Sequence, residues 1–314
     1  MTSPVATDDT VPGEGSKGNG PRFEIPPGAC DCHVHVFDPD RFPYFPTRTY
    51  TPGPAPLDDL LAFEGRIGMS RFVIVQPSVY GTDNSCLLAA LNRVGDRARG
   101  VAVIDPERTS DRELDALGEA GVRSVRINLK TQGETDRAAA ARALAATSRR
   151  VAGRGWSIQV YTGLSILAAL KDDIVRLPVP LVVDHFGGAR GEGGIGQPGF
   201  ADLIQLLESG NVYLKLSAPY RSSSRAPDYE DMTSIARALI EAAPERLVWA
   251  SDWPHTGGGP TGSDDRSDRG AADIEPFRQV DVPRLLALLA DWSGDAKTWR
   301  RILVDNPATL YGFS

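Results

Sequence analysis

Cys30-Asp31-Cys32-His33-Val34-His35-Val36-Phe37 is a short apolar run punctuated by ionisable side chains. Its length and its valines read as a β-strand, and a side-chain period of two places the rings of His33 and His35 on one side of it. Upstream, residues 1–22 are rich in Gly, Pro, Ser and Thr without hydrophobic periodicity and read as a disordered tail. Downstream, strand-like runs return at 72–76, 101–104, 124–128, 157–161, 181–184, 212–216 and 247–251. Between them the apolar spacing is helical, at 57–67, 87–94, 111–120, 137–152, 200–208, 233–242 and 284–289, with Asp83 and Asn84 as capping residues and 298–311 as a closing helix followed by packing residues. Strands alternating with helices in this way predict an α/β fold, a single (β/α)8 TIM barrel over residues 23–314. An open doubly wound sheet is the alternative, but no G-x-G-x-x-G follows an early strand.

Composition narrows the function classes. A net charge of −7 argues against nucleic acid and anionic membrane as partners, because both recruit excess Lys and Arg. The chain is 41% hydrophobic and 24% charged, ordinary for a globular protein. No apolar run approaches the roughly 20 residues that span a bilayer, and residues 1–21 lack the basic start and apolar stretch of a secretory signal, so a cytoplasmic location is expected. Cys30, Cys32 and Cys86 are too few and too unevenly spaced for a disulfide framework. Nothing in the sequence fixes an oligomeric state, and a homo-oligomer stays open.

The chemistry concentrates in few residues. The chain has four histidines, His33, His35, His185 and His255, and three of them fall in or at the end of strand candidates. Asp252 ends the eighth candidate, followed by Trp253, Pro254 and His255. In a barrel the carboxyl ends of the strands converge, so His33, His35, His185 and Asp252 are expected to meet. A lone histidine there would read as a hydrogen-bonded structural residue; three with a carboxylate read as a site. Three imidazoles and a carboxylate suit one zinc ion, or act directly as polarising groups and base. His255 reads either as a brace of its loop or as a contact to substrate.

Residues 30–37 resemble the first-strand motif of the amidohydrolase superfamily, and Trp249-Ala250-Ser251-Asp252-Trp253-Pro254-His255 resembles the eighth-strand motif of its amidohydrolase-2 branch. Pro43-Tyr44-Phe45-Pro46 with Tyr50, the run from Val75 to Asn84, Val125-Arg126-Ile127-Asn128 and Val183-Asp184-His185-Phe186-Gly187 resemble, more narrowly, the 2-pyrone-4,6-dicarboxylate lactonases. The resemblance implies a hydrolase that opens a small anionic lactone without a metal. It implies Asp252 as the base activating water, with His33, His35 and His185 polarising the carbonyl. It implies Tyr50, Ser78, Arg126, Tyr161 and Arg221 as substrate-binding residues, with His255 beside them.

Two positions depart from that pattern. Lys130-Thr131-Gln132 and Gly188 stand where the lactonases carry arginines, which leaves the exact substrate open. Arg126 and the absence of a histidine at 157–161, where Gln159 and Tyr161 stand, count against a binuclear metal centre. The alternatives are a zinc-dependent decarboxylase or hydrolase of the same branch, a metal-free lactone isomerase, and a barrel that only binds a metabolite. Residues 256–270 read as a loop over the active face.

Overall fold

The computed structural model describes residues 21–129, 136–258 and 270–314. Eight parallel strands follow one another around a single sheet in chain order. They are β1 (Cys30–Val34), β2 (Arg71–Val75), β3 (Ala98–Ala102), β4 (Val122–Asn128), β5 (Ser157–Tyr161), β6 (Leu181–Val183), β7 (Val212–Ser217) and β8 (Leu247–Ala250). Beyond β8 the backbone bonds back to β1: Asp252 N–H donates to the His33 carbonyl at 3.1 Å and His35 N–H to the Trp253 carbonyl at 2.9 Å. A parallel bridge joins Val34 to Trp253, and Asp31 Oδ1 accepts from the Ser251 N–H at 3.0 Å. The two sequence motifs therefore lie side by side at the seam of a (β/α)8 barrel.

Strands covered by helices on one side and barrel interior on the other have no wet face, so they read as unbroken apolar runs. Cys30, Cys32, Val73, Val75, Val101, Val182 and Val248 form an inner cluster. Leu310, Tyr311 and Phe313 pack against it at the amino ends of the strands, where Arg99 donates to the Gly312 carbonyl at 3.1 Å. The helix layer packs outside, with Leu60, Leu87, Leu114, Leu144, Leu203 and Leu239 in the larger core. The carboxyl end is left to the loops after the strands.

Several boundaries differ from the sequence reading. The third strand begins at Ala98 and ends at Ala102 instead of running 101–104. Arg99 and Gly100 interrupt the apolar signal, yet Gly100 is what the packing needs, since a Cβ there would lie 2.7 Å from Leu91 Cδ1. The first strand ends at Val34 and not at 37; Phe37 is held by an isolated antiparallel bridge to Ala55. The helix expected at 284–289 runs Val282–Ser293 from an Asp281 cap. The closing segment at 298–311, expected as a helix followed by packing residues, is helical throughout in three pieces, Ala296–Arg300, a wider π turn Arg301–Asp305, and Asn306–Tyr311. Asp83 accepts from the Ser85 N–H at the head of the helix Ser85–Val94, whereas the Asn84 side chain bonds both backbone groups of Val103 instead of capping. The tail expected at 1–22, the loop expected at 256–270, Lys130, Thr131 and Gln132 fall wholly or mostly outside the described residues.

Candidate active site

At the carboxyl end of the barrel, His33 from β1, His35 just past it, His185 after β6 and Asp252 after β8 turn their side chains into one buried cluster. His33 Nε2 lies 3.3 Å from His35 Nε2. Asp252 Oδ1 faces all three rings, 3.7 Å from His33 Nε2, 3.7 Å from His185 Nε2 and 4.0 Å from His35 Nε2. Its other oxygen is occupied: Oδ2 accepts from Tyr220 Oη at 2.8 Å and from Arg221 Nε and Nη2, each at 3.0 Å. His185 and Asp252 hold left-handed backbone, with φ of 52° and 65°, and so does His255 at 68°. Such backbone costs a non-glycine residue on the order of 1–3 kcal/mol and persists where surrounding structure imposes it.

The imidazoles are held from behind. His35 Nδ1 lies 2.7 Å from the Val75 carbonyl, which can only accept, so Nδ1 carries the proton. His185 Nδ1 lies 2.8 Å from Ser217 Oγ. Behind His33 is a charged layer with no exposure: Lys215 Nζ reaches His33 Nδ1 at 3.2 Å, Gln159 Oε1 at 2.6 Å and Asp184 Oδ1 at 3.3 Å. Gln159 Nε2 donates to Asp184 Oδ2 at 3.0 Å. Burial pushes His35 and His185 down to about 4 and His33 well below its ordinary value, so all three are neutral at pH 7. Burial alone would raise Asp252, but Arg221 and the rings around it hold it well below the carboxylate range. Asp184 is likewise lowered, against burial, by Lys215 and His33.

Of the residues expected to bind substrate, Arg126 sits against the cluster on β4. Its Nη1 donates to the Gln76 carbonyl at 3.3 Å, its Nη2 is 4.0 Å from Asp184 Oδ2, and its buried Nε has no hydrogen-bond partner among the described residues. Arg221 joins the cluster through Asp252 and also reaches the Thr256 carbonyl at 3.1 Å. Tyr161 packs edge-on to His185, centroids 5.0 Å apart. Tyr50 is buried beside the short strand Thr51–Pro52, and Ser78 opens the short helix Ser78–Tyr80; both stand on loops at the same barrel end. His255 lies outside the ring of three, wedged edge-on between Phe63 and Tyr220. Its backbone carbonyl takes the Arg278 N–H at 2.8 Å, and its buried Nε2 has no partner among the described residues. At Gly188, φ is +76° and an added Cβ would lie 2.9 Å from Gly163 Cα, so no side chain fits.

Lys215, Ser217 and Tyr220 complete the cluster without having been picked out in the sequence. Lys215 carried a signal, a charge inside the otherwise apolar run Val-Tyr-Leu-Lys-Leu, where burial demands a partner. Arg126 and Lys215 face Asp184 and Arg221 faces Asp252, so two guanidinium groups border the neutral imidazoles. Two groups of three donors have the spacing that holds a metal ion, His33 with His35 and Asp252, and His33 with Asp184 and His185.

The amidohydrolase family profile matches residues 30–313. A 4-sulfomuconolactone hydrolase of Rhizobium radiobacter is 37% identical over 92% of this chain and 92% of its own. A 2-pyrone-4,6-dicarboxylate hydrolase of Comamonas testosteroni is 34% identical over 93% and 92%. A solved structure from Agrobacterium tumefaciens superposes with a TM-score of 0.76 at 26% identity, covering 94% of this chain and 99% of that one. A barrel closed through its histidine and aspartate motifs, a match along nearly its whole length and two lactone hydrolases among its relatives lead to one assignment: the chain belongs to the amidohydrolase family.

Proposed function

We propose that the protein hydrolyses a small lactone bearing carboxylate or sulfonate groups. The observation that carries this reading is the carboxylate oxygen of Asp252 facing three neutral imidazole Nε2 atoms in a buried cluster bordered by Arg126 and Arg221. Guanidinium groups there attract an anion and discourage a further cation. Arg126, with a buried N–H to spare, and Tyr161 would orient the anionic substrate, and Tyr50, Ser78 and His255 are assigned to the same wall. The relatives' substrates, 4-sulfomuconolactone and 2-pyrone-4,6-dicarboxylate, are both anionic lactones and define the compounds to test first.

In this reading Asp252 Oδ1 takes a proton from water as the water oxygen adds to the lactone carbonyl. Tyr220 and Arg221 hold Oδ2 and so fix which oxygen faces the reaction. Among His33, His35 and His185, rings that present N–H stabilise the charge growing on the carbonyl oxygen. When the ring C–O bond breaks, Asp252 returns the proton to the departing oxygen. The products are a carboxylic acid and an alcohol or enol on one open chain.

A second reading rests on the donor spacing of His33, His35 and Asp252: with His185 beside them they would hold one divalent ion, which when bound would polarise the carbonyl or activate water. Turnover of the two lactones by protein of measured metal content, before and after chelation, separates the readings. Full activity in metal-free protein supports direct hydrolysis; activity lost with one tightly bound zinc supports the metal.

A further inference from the structure

Lys215 has no exposure, touches no pocket surface and lies one layer beneath the reacting groups, yet it bonds the imidazole at the centre of the cluster. Three observations fix the direction of that bond. Gln159 turns its Nε2 to Asp184 Oδ2 at 3.0 Å, so its Oε1 is the acceptor facing Lys215 at 2.6 Å. Lys215 retains N–H groups after that bond, whether amine or ammonium, and the next atom in reach is His33 Nδ1 at 3.2 Å. Asp184 Oδ1 is equally near, 3.2 Å from His33 Nδ1, but it pairs with Lys215 Nζ at 3.3 Å and lies out of line for a ring N–H at Nδ1. His33 Nδ1 is therefore the acceptor, and its proton belongs on Nε2.

The partner of that proton is present. His35 gives its Nδ1 proton to the Val75 carbonyl at 2.7 Å, which leaves its Nε2 as a lone pair 3.3 Å from His33 Nε2. From these bonds we infer that Lys215 is a positioning residue that divides the His-x-His pair into a donor, His33, and an acceptor, His35, through the chain Lys215 to His33 to His35 to the Val75 carbonyl. When substrate enters, the His33 N–H is the one free to turn from His35 to the carbonyl oxygen, while His35 accepts. A symmetric pair of imidazoles could not make that distinction, and a protonated Nε2 on His33 does not ligate a metal.

The tautomers can be read directly, because the chain has four histidines. Full-length protein labelled with nitrogen-15 histidine is recorded at neutral pH, with His33→Gln identifying the His33 ring. The inference predicts His33 protonated on Nε2 and His35 on Nδ1. Lys215→Met removes the donor that holds the ring, frees His33 to turn an Nδ1–H to Asp184 Oδ1 3.2 Å away, and lowers kcat by about 10²-fold with little change in KM, whereas Lys215→Arg keeps the tautomer. His33 protonated on Nδ1 in the wild type, or a metal-bound His33 Nε2, overturns the inference, as does an unchanged tautomer in Lys215→Met. If Lys215→Met does not fold, the wild-type spectrum decides alone. The kinetic arm rests on the hydrolase reading; the tautomer arm stands whichever lactone is opened.

Discussion

At the scale of single residues, Asp252 concentrates the chemistry because its two oxygens have different surroundings. Oδ2 is fully bonded by Tyr220 and Arg221, and Oδ1 faces the rings. Asp252→Asn keeps the shape and removes the proton acceptor, so kcat should fall by about 10²–10⁴-fold while binding of a substrate analogue, measured by calorimetry, changes little. His255 makes a separate prediction through stability. Burial lowers it to about 4, while in the unfolded chain it titrates near 6.5. Between those values the unfolded state binds the extra proton, so this histidine costs stability as pH falls from about 6.5 and the loss levels off below about 4. His255→Phe, which keeps the ring between Phe63 and Tyr220, removes that contribution. Relative to wild type, urea melts should show it gaining about 3 kcal/mol between pH 6.5 and 4. A constant difference across that range would show that His255 does not titrate this way.

Elements explain which parts of the site were legible. His33, His35, His185 and Asp252 stand at strand ends, and the reading of the strands placed them together because a barrel gathers those ends. β5 was read with its limits correct at Ser157–Tyr161, since its residues form an unbroken buried run, whereas β3 was displaced by Arg99 and Gly100. Ser217 and Tyr220 stand past the run read as a strand at 212–216, and for Lys215 within it strand periodicity reports burial and says nothing of which buried polar groups find each other across the barrel. The loop after β6 is where local backbone and chemistry meet. Gly188, at φ +76° and against the backbone of Thr162 and Gly163, permits no side chain. Gly188→Ala is expected to cost about 1–3 kcal/mol in urea unfolding and to disturb His185, raising KM. Wild-type stability and kinetics in that variant would mean that the loop relaxes freely.

For the whole molecule, the barrel separates chemistry at the carboxyl ends of its strands from closure at the amino ends. Tyr311 is fully buried in that closing layer, and its hydroxyl has no hydrogen-bond partner among the described residues. Tyr311→Phe removes an unsatisfied polar atom and should raise stability by about 1 kcal/mol; Tyr311→Ala leaves a cavity and should lower it by about 3–5 kcal/mol. Neither should alter kcat per folded molecule, because the change lies at the opposite end from the site. Among the described residues no helix is long and apolar enough to cross a membrane.

The most direct test of the account is the initial rate of ring opening on 4-sulfomuconolactone and 2-pyrone-4,6-dicarboxylate, measured for wild type and Asp252→Asn after chelation, with metal content determined on the same samples. The account predicts turnover of at least one of these lactones by metal-free wild type, and its loss in Asp252→Asn. No ring opening by wild type on any anionic lactone, or undiminished turnover in Asp252→Asn, would contradict it.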